Sequence, residues 1–310
     1  MTARVRCIRL ADLPPPPPGK SGWPWTVEAP QLPTLRPDGT SWPRISIVTP
    51  SYNQGLFIEE TIRSVLLQGY PDLEYIVIDG GSTDGAVDII RKYAPWLTHW
   101  TSEPDRGQAH AINKGFVHAT GAIGAYLNSD DYYLAGALPY AAQSFSRLGW
   151  DLLIGRSDEH YRPTWYWLRR SWWKHKLTFY PRPFVIGSKR YGISQESTFW
   201  SLEKFRDRRF DETLQFCLDV DWYCRIARGA RIALSPRKIG HFREHPDSKT
   251  ARLQHVRGKE HAEIDRQQAE LGNSEHLYPR VLSAVRLRMP LLLVRALLSG
   301  FGEFCYRHPP

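Results

Sequence analysis

Two short apolar runs, Ile45-Ser-Ile-Val-Thr49 and Tyr75-Ile-Val-Ile78, flank a stretch with helical spacing at Phe57, Ile58, Thr61, Ile62, Val65 and Leu66. Apolar strands joined through a helix within ~35 residues form a βαβ unit and impose parallel pairing. Pro50 is expected to end the first strand, and Tyr70-Pro-Asp to close the helix. The alternation continues with a helix to about Tyr93, a helix from about Gly107 to Ala119, and the strand Ala122-Ile-Gly-Ala-Tyr-Leu127. A helix to about Arg147 and the strand Asp151-Leu-Leu-Ile154 follow. The expected fold is α/β, with a Rossmann-like, mostly parallel sheet flanked by helices.

In open α/β sheets ligands bind beyond the carboxyl ends of the strands. Here those ends carry Thr49-Pro-Ser-Tyr-Asn53, Asp79-Gly-Gly-Ser-Thr-Asp84 and Asn128-Ser-Asp-Asp131. Like charges gathered at strand ends repel unless a cation or donor groups neutralise them. A divalent metal holding a diphosphate would do both, and hard oxygen ligands suit magnesium or manganese. Asp79 would also accept hydrogen bonds from a base or ribose. The plainer alternative, strongest for Ser82 and Asp84, is that these residues only form turns and N-caps.

The overall charge runs the other way. The 310 residues carry 41 Lys+Arg against 32 Asp+Glu, a net +9 that favours an anionic partner. The surplus gathers in 156–190 and 280–307, away from the acidic strand ends, so nucleic acid is the least favoured partner. The four cysteines show no ligand spacing, which supports neither a zinc module nor a disulfide framework and suits a reducing compartment. Gly19-Lys20-Ser21 imitates the end of a P-loop, but Pro14 stands where the first glycine is required. No apolar stretch near the N-terminus suits a signal peptide, and the run 290–298 is short and broken by Arg295. The expectation is a cytoplasmic chain with a Pro-rich arm over 1–43, whose prolines withhold amide donors.

The ordered runs Ile47-Val-Thr-Pro-Ser-Tyr-Asn-Gln54, Glu74-Tyr-Ile-Val-Ile-Asp-Gly-Gly-Ser-Thr-Asp84, Ser102-Glu-Pro-Asp-Arg-Gly-Gln108, Ala111-Ile-Asn-Lys-Gly115 and Leu127-Asn-Ser-Asp-Asp131 resemble glycosyltransferase family 2. That family comprises inverting, hexosyltransferase-type enzymes of the GT-A fold that use nucleotide-diphospho-sugars. The resemblance spans 44–250 and implies a nucleotide-sugar half, 44–135, and an acceptor half, 136–250, before a helical basic tail, 251–310. It implies that Thr49, Pro50, Tyr52 and Asn53 wall the nucleotide pocket, with Tyr52 near the base. Asp79 would bond the base, with Ser82 and Asp84 in its companion loop. Asp105, Gln108 and Asn113 fall where the ribose or donor sugar is contacted, the alternative for Asp105 being that it only caps the helix that follows. Asn128-Ser-Asp-Asp131 is similar to a DxD-type motif with Asn128 in place of the usual Asp. The metal burden then falls on Asp131, and ribose or metal contact on Asp130, beside Ser129.

Gln195-Glu-Ser-Thr-Phe-Trp200 resembles the acceptor-side segment, so Gln195, Glu196 and Trp200 are expected there. Phe210 to Trp222 resembles the stretch ending in the catalytic base, with Leu218 where relatives often carry Glu. Asp219 is the expected base and Asp221 the alternative. If the stretch is extended they face opposite ways, and Asp221 is expected to cap the next helix. His245-Pro-Asp-Ser-Lys-Thr250 matches the closing motif, and His245 is either a metal or diphosphate contact or a hydrogen-bonded loop residue.

These parts imply metal-dependent (Mn2+ or Mg2+) transfer from a nucleotide-diphospho-sugar to a hydroxyl, in bacterial cell-surface polysaccharide or glycolipid synthesis. Over 161–182 aromatics alternate with cations, which suits a lipid-linked acceptor at the inner face of the membrane, a saccharide-binding lip, or core tryptophans between solvated cations. A nucleotidyltransferase would want a Gly- and Lys-rich loop after the first strand, which Ser51-Tyr-Asn-Gln-Gly55 does not supply. A non-catalytic saccharide- or nucleic-acid-binding protein would suit the aromatics but not the acidic strand ends.

Overall fold

A computed structural model describes residues 7–158, 193–268 and 270. The aromatic-basic stretch 161–182 and the tail beyond 270 lie outside the described residues.

Within the described residues, eight strands form a single sheet in the order β3-β2-β1-β4-β7-β6-β8-β5. The first half is built as the alternation dictates. β1 (Ile45–Ser51), α1 (Ile58–Leu66), β2 (Leu73–Asp79), α2 (Ala86–Tyr93), β3 (His99–Ser102), α3 (Gln108–Val117) and β4 (Ile123–Tyr126) place β3, β2, β1 and β4 side by side and parallel. The second half is mixed. β5 (Tyr132–Tyr133), α4 (Ala137–Leu148), β6 (Leu152–Ser157), β7 (Thr198–Ser201), α5 (Leu202–Phe205), α6 (Leu218–Ile226) and β8 (Ile232–His241) follow. Here β7 lies antiparallel to β4 and β6, β8 parallel to β6, and β5 antiparallel to β8. The sheet is thus mostly parallel, as expected, with its antiparallel pairings confined to the second half. Two helices, α7 (Lys249–Arg252) and α8 (Gln254–Gln268), complete the described chain.

Pro50 does not end β1, which runs on to Ser51 against β2. Pairing with β4 stops at Val48, so the missing Pro50 amide leaves no ladder bond unmade on that side. β1 and β2 are buried along almost their whole length, which explains their continuous apolar character. Strand β3 eluded the periodicity because His99-Trp-Thr-Ser102 is a half-buried edge with no alternation.

The arm is irregular, but its described part is docked onto α1. Arg63 on that helix is fully buried and donates to the carbonyls of Pro14, Pro24 and Trp25 and to the Tyr93 hydroxyl. The Ala29 and Leu32 amides bond the carbonyls of Leu67 and Gly69. Leu13 and Trp42 join the main core.

Candidate active site

The loops after β1 and β2 are latched to one another. Asn53 holds a left-handed φ of 51°, which Asn tolerates better than most residues. In that posture its amide N–H donates to Ser82 Oγ at 2.8 Å, and its side-chain oxygen accepts from the Thr83 amide at 2.9 Å. The Gly55 amide donates to Asp84 at 2.7 Å. Ser82 and Asp84 thus join the two loops as well as shaping a turn. Asp79, fully buried beneath them, accepts from the Gly81 and Ser82 amides and from the Ser82 and Ser102 hydroxyls. Three of these donors fall on Oδ2 and one on Oδ1, so Asp79 anchors the two loops from below.

Thr49 and Pro50 are buried in β1, with Thr49 bonded to the Tyr75 hydroxyl, whereas Tyr52 stands exposed. A Cβ at Gly80 would lie 2.7 Å from the Asp105 carboxylate and 3.3 Å from the Tyr52 ring. These two side chains therefore close in on the backbone at Gly80. Asp105 accepts from the Gly107 amide, while Gly107 itself is the N-cap of α3. Asn113 is buried and gripped by Phe210 and Glu212, so it positions the 210–212 loop in place of the expected sugar contact.

The turn after β4 is held on several sides. Thr61 donates to the carbonyls of Ser129 and Asp131. Arg243 donates its amide to Asp131 and its guanidinium to the Asp130 carbonyl and to Glu60. His245 Nε2 lies 3.0 Å from Asp130 Oδ2, so the histidine meets Asp130 and not the deeper Asp131. Asn128 accepts from Gln108 at 2.6 Å and donates to Gln195 at 3.2 Å and, more weakly, to Asp131 at 3.4 Å.

Burial first, then the neighbouring charges of Asp130 and Glu196, push the Asp131 carboxyl well above its ordinary range. A site in which negative charge is this costly fits a divalent cation. Among the described residues no three His, Cys, Asp or Glu side chains converge as a ready-made cage. Magnesium-type ions commonly take one or two carboxylates and complete their shell with substrate phosphates and water, so the oxygen set of Asp131 and Asp130 fits such an ion.

Asp219 and Asp221 lie in the first turn of α6, not in an extended stretch. Asp221 is buried in an i,i+4 ion pair with Arg225, 2.6 Å apart, and Cys217 is the N-cap residue. The capping role expected of Asp221 is not the one it plays. Asp219 is only partly buried; the Tyr126 phenol is pushed up first by its own burial and then by the charge of Asp219, with Asp131 and Glu196 adding to it. Trp200 is not at the acceptor surface: it is 1% exposed and packs among Phe116, Tyr126, Phe210 and Trp222.

Lys249 and Arg243 received no role from the sequence. Arg243 carries no local motif, and only its place two residues before His245 pointed toward the site. Lys249 sits in the motif that includes His245, and that neighbourhood was its only signal. Its ammonium donates to Gln108 Oε1 at 2.8 Å and to the Gln215 carbonyl at 2.6 Å. Crowding by the cleft walls lowers its pKa, against the opposing pull of Asp219, Glu260, Asp105 and Asp130. One cation thus stands among carboxylates from both halves of the sheet.

A parallel first half, a mixed second half and polar loops beyond the parallel strands' ends are the architecture of a glycosyltransferase fold of the GT-A type. The family description "Glycosyl transferase family 2" matches residues 46–220, more than half of the chain, and the chain belongs to that family. It is 42% identical over 96 residues to TuaG of Bacillus subtilis (strain 168), a glycosyltransferase named for teichuronic acid biosynthesis, covering 30% of this chain and 38% of TuaG. It is 40% identical over 95 residues to an uncharacterized glycosyltransferase of Mycobacterium tuberculosis (strain ATCC 25618 / H37Rv), covering 30% of this chain and 36% of that protein. The matches thus span little more than a third of these curated relatives' length. Among solved structures, the mannosyltransferase PcManGT of Pyrobaculum calidifontis, in complex with GDP-Man and Mn2+, superimposes with a TM-score of 0.58 at 23% identity over 76% of this chain and 66% of that one. S. aureus TarS 1-349 in complex with UDP gives 0.53 at 21% over 66% and 61%. At these identities the likeness bears on the fold.

Proposed function

We propose that this chain transfers a sugar from a nucleotide-diphospho-sugar to a hydroxyl acceptor with inversion, in the synthesis of a cell-surface polysaccharide or glycolipid. The observation that carries the reading is the position of Asp219 at the second residue of α6, with Lys249 linking that side of the cleft to Gln108. Tyr52, the latched 53–55 and 82–84 loops and Asp105 form the nucleotide side. Asn128, Gln195 and Gln108 form the polar floor between the two sides.

In this reading Asp219 takes the proton of the acceptor hydroxyl as its oxygen attacks the anomeric carbon. The bond from that carbon to the diphosphate oxygen breaks on the opposite face, and its electron pair leaves with the nucleoside diphosphate. A single displacement inverts the centre. Lys249 lies where it can accept part of the charge that grows on the leaving diphosphate. A divalent cation held by Asp131 and Asp130, with His245 against Asp130, would neutralise the rest when bound. The named relative in teichuronic acid biosynthesis supports the polysaccharide assignment. Among the described residues no helix is long and apolar enough to cross a membrane. A membrane-linked acceptor is part of the proposal through the aromatic-basic stretch 161–182 alone.

The experiment is a thermal-shift screen of nucleoside diphosphates with and without manganese, followed by turnover of the sugar donor of whichever nucleotide binds. Selective, manganese-dependent stabilisation by one nucleotide is expected. Asp219→Asn is expected to bind that nucleotide normally and to release at least 100-fold less diphosphate from its donor. Wild-type turnover in Asp219→Asn would remove Asp219 as the base.

A further inference from the structure

Helix α6 begins without a side-chain cap of its own, since its N-cap is Cys217 and the third helical residue is Val220. In a capping box that third residue is Glu or Gln, and it reaches back to the N-cap amide. Here the carboxylate comes from another helix. Glu260, midway along α8, accepts the backbone amides of Gln215 at 2.7 Å, Phe216 at 2.9 Å and Cys217 at 2.7 Å. Three consecutive donors on one carboxylate tie down the residues leading into α6, and its negative charge suits a helix N-terminus. The same segment is held from its other side, where Lys249 takes the Gln215 carbonyl while also holding Gln108. Cys217 is wholly buried, and its thiol donates to the Arg257 carbonyl one turn before Glu260.

We propose that Glu260 is a positioning residue: from outside the 46–220 family match it sets the start of α6 and so the placement of Asp219 in the cleft. This rests on the reading of Asp219 as the base. Asp219 lies two residues beyond the last amide that Glu260 holds, so a loosened lead-in changes the reach of the base toward the acceptor. The hydrogen bonds of Glu260 reach neither the donor loops nor the acidic turn after β4, so its loss should lower turnover far more than donor binding.

Glu260→Ala and Glu260→Gln are compared with Asp219→Asn in the full chain. Amide hydrogen exchange is followed over 213–222, calorimetry gives nucleoside diphosphate affinity with manganese, and turnover is release of diphosphate from the donor. Expected for Glu260→Ala are exchange at 215–217 at least 10-fold faster, nucleotide affinity within 2-fold of wild type, and kcat lowered at least 10-fold with the donor KM little changed. Glu260→Gln, which keeps an acceptor oxygen, should recover part of both exchange protection and kcat. Faster exchange in Glu260→Ala with wild-type kcat would overturn the positioning role while Asp219→Asn remained inactive. An active Asp219→Asn would instead overturn the reading of Asp219 on which this role rests. Unfolding of Glu260→Ala would leave the Gln variant to decide: faster exchange at 215–217 with kcat lowered in step supports the role, and faster exchange with wild-type kcat overturns it.

Discussion

His245 and Asp130 meet at 3.0 Å between ring Nε2 and carboxylate Oδ2, joining the loop after β8 to the turn after β4. The histidine also packs against Phe57 with ring centroids 4.5 Å apart, so its orientation is set from two directions. A histidine placed in this way orders the carboxylate beside it, and loss of such partners usually costs about 10–100-fold in metal affinity. His245→Ala is therefore expected to weaken manganese-dependent nucleotide binding about 10-fold or more, read by calorimetry across a manganese titration. Unchanged affinity would assign the histidine to loop packing.

Lys249 separates two kinds of ligand. Its ammonium bonds Gln108 on one side and the Gln215 carbonyl on the other, so Lys249→Met should weaken a nucleoside diphosphate about 10-fold while leaving the corresponding nucleoside almost unaffected. Parallel titrations of the two ligands test this. An equal loss for both would point to collapse of the cleft.

Arg63 carries a stability prediction. Its guanidinium is fully buried on three main-chain carbonyls and one phenol, without a carboxylate among these hydrogen-bond partners. Arg63→Met keeps the aliphatic bulk but strands those acceptors, each unsatisfied group costing roughly 1–3 kcal/mol. Chemical denaturation should show a loss of about 3 kcal/mol or more. Nucleotide affinity in the folded fraction should be unchanged.

Asp151 sets an acid limit. Burial pushes its carboxyl up, but hydrogen bonds from Lys204 and from the amide and guanidinium of Arg231 outweigh this and hold it at about 2, below its ordinary 3.8. A carboxyl lowered by folding stabilises the protein above its unfolded value, and that contribution fades as pH falls from about 4 toward 2. Denaturation curves across that range should fall more steeply for wild type than for Asp151→Asn. Parallel slopes would show that this carboxyl does not govern acid stability.

The parallel first half was legible because burial on both faces leaves an unbroken apolar signature, as in Ile45–Thr49 and Tyr75–Ile78, and because polar loops must follow such strands. The turn that carries Asp130 and Asp131 was legible for the same reason, whereas Asp219 was singled out only through the resemblance of 210–222 to the family. What each side chain does was less so. Asn113 and Trp200 have residue types that suit ligands, yet partners remote in sequence engage them: Phe210 by hydrogen bonds and Phe116 by ring packing. The helical setting of Asp219 was hidden because α6 lacks a local cap, its carboxylate arriving from 43 residues further along at Glu260. Mixed pairing in the second half depends on long-range register that no local pattern encodes.

The docked arm has a practical consequence for anyone preparing shortened forms of this protein. The family match starts at residue 46, which invites trimming just before it. Such a cut would strip Arg63 of three of its four hydrogen bonds and expose the Leu67 and Gly69 carbonyls that the arm now covers. It would also unload α1, the helix whose Thr61 supports the carbonyls of Ser129 and Asp131. A truncated preparation that fails to bind nucleotide would therefore report a lost buttress, not a misassigned family.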